Sequence, residues 1–189
     1  MKRAEKELKL STDKDLTTWI RTLLAIYPTL PNIERVISSI IESRACSLNS
    51  CYAPNGQMKY SSYEHVNRVL QIIERKDKII DLYHSIRDLL KILSKEEMRF
   101  VEMRFFHRVK PEKIATILGV SRRSVYRYTT RIIDKIALDC MDKGISSLYL
   151  KNKVEGESWI FAQYDKIAED LQANVKRGRV EVEDDLSLE

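Results

Sequence analysis

Apolar residues recur every three or four positions through most of the chain. Leu16, Trp19, Ile20, Leu23, Leu24 and Tyr27 fall on one side of a helix, which Thr12-Asp13-Lys14-Asp15 opens as a capping box. The run Tyr27-Pro28-Thr29-Leu30-Pro31 ends it. A second helix is predicted over 31–44. Pro31 sits in its first turn, where a missing N–H costs little, and Ile33, Val36, Ile37, Ile40 and Ile41 are its buried positions. The stretch 45–60 reads as a loop, because Asn49, Pro54, Asn55 and Gly56 are turn formers. Ser61 and Glu64 then give a second start signal, and a helical pattern continues to Leu93 with no Gly or Pro. Within it Ile79, Leu82, Ile86, Leu89 and Leu93 alternate in steps of three and four, as in a coiled-coil seam. Such a stripe serves either packing within the chain or pairing with a second copy.

The pattern changes after Leu93. Ser94-Lys95-Glu96-Glu97 is another capping box, opening a helix through Phe106 that buries Phe100, Val101, Met103 and one or both of Phe105 and Phe106. Pro111 starts a short helix, Gly119 ends it, and Ser121 caps a longer one from Arg122. Two helices meeting across a tight turn need a small residue at the approach and a residue tolerant of positive φ in the turn. Ala115 and Gly119 meet these needs. Val120 is expected to plug the angle, with Ile114, Leu118, Val125 and Ile132 filling the inside. This is the order of a helix-turn-helix. Beyond it, Gly144 and Lys151-Asn152-Lys153 suggest a break. A last helix is predicted over 157–174, with Trp159, Ile160, Phe161, Tyr164, Ile167, Ala168 and Leu171 inward. The end, 180–189, carries five acids and no base and is expected to be solvated.

The helix after Ser121 carries the chemistry. At about 100° per residue, Val125, Thr129, Ile132 and Ile136 share one side, while Arg122, Arg123, Tyr126, Arg127 and Thr130 lie opposite and Arg131 sits at the edge. From Ser121 to Arg131 this helix has four arginines and no acid. Ordinary solvated faces mix signs, as the long helix does with Glu74, Arg75, Lys76, Asp77 and Lys78. An all-cationic face suits phosphates and purine edges, since arginine reaches guanine through two hydrogen bonds.

Composition narrows the rest. Five glycines and four prolines in 189 residues favour an all-α fold over many short strands. The formal net charge of +5 permits a nucleic-acid partner without requiring one. No apolar run approaches the ~20 residues of a membrane span, and the N-terminus leads into no leader-like stretch. Three cysteines point to reduced thiols in the cytoplasm. Cys46 and Cys51 with Cys140 and His65 would make four zinc ligands, but at no recognised spacing, and loop thiols are the simpler expectation. No metal or cofactor is expected. Three histidines in no triad or metal spacing, and no Gly-rich phosphate loop, argue against an enzyme.

The segment from Leu93 to Ile136 resembles region 4 of sigma-70-type factors. The shared frame is Leu-Ser-x-x-Glu at 93–97 and Ile114-Ala115-Thr116-Ile117-Leu118-Gly119-Val120-Ser121-Arg122-Arg123-Ser124-Val125. The resemblance implies that Arg122, Arg123, Ser124, Tyr126, Arg127 and Arg131 take groove or phosphate positions on double-stranded DNA. More diffusely, residues 16–137 resemble the RinA and ArpU type regulators of phages and prophages, including a Tyr-Pro near the start, here Tyr27-Pro28. That likeness implies a late-gene activator. With Lys110 and Lys113 as phosphate contacts and Ser121 and Thr130 as backbone contacts, the expected site is Lys110, Lys113, Ser121, Arg122, Arg123, Ser124, Tyr126, Arg127, Thr130 and Arg131. The expected division is a helical region at 12–93, a DNA-binding domain at 94–138 and an extension at 139–189.

Two alternatives remain. A sigma-like factor would dock on RNA polymerase through exposed apolar residues such as Phe105 or Phe106. A partner-binding helical protein would use Trp159, Phe161 and Tyr164. Homo-oligomerisation is compatible with each.

Overall fold

A computed structural model describes residues 14–46 and 61–186, and no strand occurs among them: the fold is all-α. The expected N-terminal tail, Thr12 of the first capping box, the loop body with Cys51, and the last three residues lie outside the described residues.

Helix α1 spans Lys14–Ile26. Leu16, Trp19, Ile20, Leu23, Leu24 and Ile26 are buried, and so are Thr18 and Thr22. The Thr22 hydroxyl donates to the Thr18 carbonyl at 2.9 Å, so its burial leaves no unpaired donor. A helix buried on more than its apolar stripe belongs to an interior. Accordingly α1 packs against helices from later in the chain. One compact unit therefore joins α1 to everything from Leu89 onward, and the other is Tyr27–Asp88. Chain order and packing part company here. Amphipathic spacing announces a buried face without naming its partner, so the expected division groups α1 by position with the region up to 93, whereas its contacts place it with the later helices.

The second unit is a helical hairpin. A 3₁₀ turn at Tyr27–Thr29 leads into α2, Leu30–Cys46, and α3 spans Ser62–Leu90. Ser61 and Glu64 close the expected capping box at its start. The Tyr27 and Tyr83 rings stack at 4.9 Å, Lys76 Nζ lies 3.2 Å from Glu34 Oε1, and His65 Nε2 lies 3.1 Å from the Arg44 carbonyl. These contacts ascend along one helix as they descend along the other, so α2 and α3 run antiparallel. Of the five α2 positions expected inside, Ile37 is buried and Ile33 and Ile41 are half-buried. Val36 and Ile40 are exposed, because α2 spreads its apolar residues over a wider arc than its neighbours cover. The α3 stripe is buried at Ile79, Leu82, Ile86 and Leu89. Leu93 falls in the turn after the helix and is half-buried.

In the first unit, α4 spans Lys95–Val101, capped by Ser94 and Glu97 in both directions. Glu102–Phe106 continue it as a π-helical stretch, where one extra residue per turn rotates the side chains that follow. Phe100 and Val101 are buried as expected, while Met103, Phe105 and Phe106 are half-buried. Helices α5 and α6 span Pro111–Leu118 and Arg122–Asp142. Helix α6 runs unbroken through the boundary expected at 138–139, and its last turn buries Cys140. A short helix α7, Ser147–Lys153, occupies the expected break, capped by Ser146 and burying Leu150. Helix α8 spans Ser158–Leu186, past the expected stop at 174. Helix α1 packs on α6, α7, α8 and the π stretch. Trp19 meets Phe161 edge-on at 5.6 Å and stacks on Tyr164 at 4.4 Å. Tyr164 Oη donates to Asp15 Oδ1 at 3.2 Å. Phe161 and Tyr164 are thus engaged inside the unit, and the Trp159 indole N–H donates to Glu157 Oε2 at 2.7 Å. Among the described residues no helix is long and apolar enough to cross a membrane.

Candidate nucleic-acid interface

The turn between α5 and α6 is built as the residues demand. Gly119 has φ 63° and ψ 33°, the left-handed region in which a residue without Cβ is at ease. Its N–H and that of Val120 reach back to the Thr116 and Ala115 carbonyls at 3.4 and 3.0 Å, closing α5. Ser121 then caps α6, its Oγ accepting from the Ser124 N–H at 3.1 Å. Ile114 and Val125 are fully buried across the turn.

Helix α6 divides by face. Val125, Thr129, Ile132, Ile133, Ile136, Ala137 and Cys140 are buried. The Thr129 hydroxyl donates to the Val125 carbonyl at 2.9 Å and adds no unpaired polar group to that face. Ser121, Arg122, Arg123, Ser124, Tyr126, Arg127, Thr130 and Arg131 are all exposed. Lys110 and Lys113 are exposed at the start of α5, and Lys110, at the N-cap, makes no side-chain cap. Contacts between α5 and α6 hold the two helix starts on one part of the unit.

Arg122 stands apart from the other arginines of this face. Its Nε donates to Glu112 Oε1 at 3.0 Å, its Nη2 donates to Tyr126 Oη at 3.3 Å, and its guanidinium lies 5.6 Å from the Tyr126 ring centre. More than half of each side chain in the Glu112–Arg122 pair is exposed, so the pair belongs to the surface.

Two residues expected in the interior lie elsewhere. Leu118 is 45 % exposed and Val120 43 % exposed. The turn is closed by backbone bonds, and both side chains splay away from it. With Phe100, Met103, His107 and Tyr128 they wall an apolar cleft of about 670 Å³. Phe105 and Phe106, expected as the docking residues of this region, are not among its walls.

Sequence reasoning also missed the tie that sets α4 against α6. Glu97 Oε2 accepts from Lys135 Nζ at 2.6 Å and from the Ser94 N–H at 2.7 Å. The Lys135 hydrogen bond comes first among the causes that hold the Glu97 carboxyl below the usual range, ahead of the Ser94 contacts, and burial opposes them. Phe100 meets Tyr128 edge-on at 4.7 Å between the same two elements. A capping glutamate is legible locally, but its second partner lies 38 residues away.

Among the described residues no three His, Cys, Asp or Glu side chains group as a metal site. Of the four zinc ligands considered, Cys140 is buried in α6 with its thiol pushed up to about 11, chiefly by that burial. His65 is engaged with the Arg44 carbonyl, and Cys51 lies outside the described residues.

The fold and this face define a helix-turn-helix protein. Comparison with known families agrees: residues 55–139 match the family described as ECF sigma factor. The match takes in α3 through most of α6 and covers less than half of the chain. No curated protein and no solved structure shows a significant match.

Proposed function

We propose that this protein is a sequence-specific DNA-binding transcription regulator that seats α6 in the major groove. The observation that carries the proposal is the exposed arginine row on a helix whose opposite flank is aliphatic and buried. A rigidly seated helix presents its side chains at fixed spacing, which base readout requires. In this reading Arg122, Arg123 and Arg127 contact base edges. Ser121, Ser124, Tyr126, Thr130 and Arg131 contact the backbone, and Lys110 and Lys113 hold a phosphate at the start of α5. The similarity of residues 55–139 to ECF sigma factors supports a role in transcription. The likeness to phage and prophage regulators supports late-gene activation as the particular role.

Gel-shift titrations on a duplex selected from a random pool test the proposal. Arg123→Ala and Arg127→Ala should each relax sequence preference, at about 1–3 kcal/mol for a bidentate base contact. Lys113→Ala should weaken selected and random duplexes alike and make the salt slope shallower by about 0.9. Normal binding by the Arg123→Ala/Arg127→Ala double variant would sink the assignment.

A second reading is favoured by the cleft between α4 and the helix-turn-helix. Its apolar walls at Phe100, Met103, Leu118 and Val120 suit an apolar helix of RNA polymerase. Core polymerase should then bind in the absence of DNA, and Met103→Asp should abolish that binding while leaving DNA binding intact.

A further inference from the structure

We propose that Glu112 is a positioning residue for DNA reading, acting through Arg122; this rests on the DNA-binding function proposed above. Arg122 occupies the first position of α6. The positive end of the helix dipole disfavours a cation there, and the other arginines of the face repel it further. An arginine so placed, with nothing to hold it, would swing toward solvent through many rotamers. Glu112 changes that. It lies in the first turn of α5, where the dipole favours an acid, and its carboxylate reaches across the turn to the Arg122 Nε at 3.0 Å.

The geometry is specific about which edge is held. Glu112 takes Nε, and Tyr126 takes Nη2 through its hydroxyl at 3.3 Å while its ring lies 5.6 Å from the guanidinium carbon. Two contacts on different nitrogens fix the plane of the fork as well as its position. Ordering the side chain before DNA arrives removes part of the entropy otherwise lost on binding. The carboxylate has a second consequence. It sets a negative charge beside the phosphate-binding start of α5, between Lys110 and Lys113 in sequence, which opposes binding to any duplex regardless of sequence. Glu112 thus favours the correct duplex by aiming Arg122 and disfavours the rest by repulsion, and specificity is the difference between the two.

Glu112→Gln tests this, with binding measured on a selected duplex and on a random-sequence duplex over a salt series. The expected result is about a tenfold fall in the ratio of selected to random affinity, with random-duplex binding tightened. The Glu112→Gln/Arg122→Ala double variant should show the same ratio as Arg122→Ala alone, since the effect passes through that side chain. Glu112→Asp keeps the charge but shortens the reach, so it should lose the ratio while retaining weak random binding. An unchanged ratio in Glu112→Gln, or a wild-type ratio in Glu112→Asp, overturns the inference. If Arg123→Ala and Arg127→Ala also leave selected binding untouched, the DNA-reading function fails as a whole. If they reduce it, only the role of Glu112 is rejected. Thermal unfolding of each variant at the wild-type midpoint separates positioning from loss of fold.

Discussion

Gly119 and Glu97 show how much a single position contributes. A Cβ built on Gly119 meets nothing within 4 Å, so space is no obstacle to a side chain there. The obstacle is the backbone: at φ 63° an L-residue brings Cβ against its own carbonyl. Gly119→Ala should therefore destabilise by about 1–2 kcal/mol, and Gly119→Asn by less. Chemical denaturation measures both. Glu97 makes a different contribution. Its carboxyl is held below the usual range chiefly by Lys135. A depressed acid stabilises the fold above its ordinary pKa of ~4.3 and loses that contribution as pH falls through the lowered value. The Glu97 side chain is 17 % exposed and Lys135 42 %, so water screens part of the attraction. Glu97→Gln should cost about 0.5–1 kcal/mol at pH 7. Denaturation curves repeated in acid should converge with those of the wild type below the ordinary carboxylate range.

At the level of the element, α6 asks two things of one helix. One flank holds the unit together, and in the proposed function the other meets DNA. The two should separate under mutation. Ile136 is fully buried, and Ile136→Ala should destabilise by about 2–5 kcal/mol as a cavity opens. Arg127 is exposed, and Arg127→Ala should change stability by no more than about 0.5 kcal/mol while weakening binding to the selected duplex. Calorimetry and gel shift on the same two proteins check the separation. The face division of α6 was legible beforehand because helical period depends only on residue order. Its length was not. The domain boundary expected at 138–139 followed the end of the resemblance, whereas the helix runs through it to Asp142 and buries Cys140 in its last turns.

For the whole molecule, the helix-turn-helix lies in a unit assembled from both ends of the chain. Trp19 on α1 stacks on Tyr164 and meets Phe161 edge-on, both on α8, and α1 also meets α6. Helix α6, the helix proposed to read DNA, is therefore supported by a helix that precedes it by about a hundred residues. Trp19→Ala should cost about 3–5 kcal/mol, and should lower DNA binding only as far as it lowers the folded fraction. Unfolding followed by fluorescence, with binding corrected for that fraction, tests this. The expected three-part division differs from this arrangement because an apolar stripe marks a buried face and nothing more. Nothing in a stripe says which other stripe it will meet.

Residue order alone was enough to specify most of the helices though not all of their ends, the Gly119 turn, the Ser94 and Ser121 caps and the two faces of α6. All of these depend on interactions within four residues, or on a period of 3.6. Contacts between distant elements decided the remainder: α1 beside α8, Lys135 on Glu97, Glu112 on Arg122, and Leu118 and Val120 turned out to wall a cleft. A side chain's partner across space depends on how helices dock, and docking sums many weak contacts that no single segment contains.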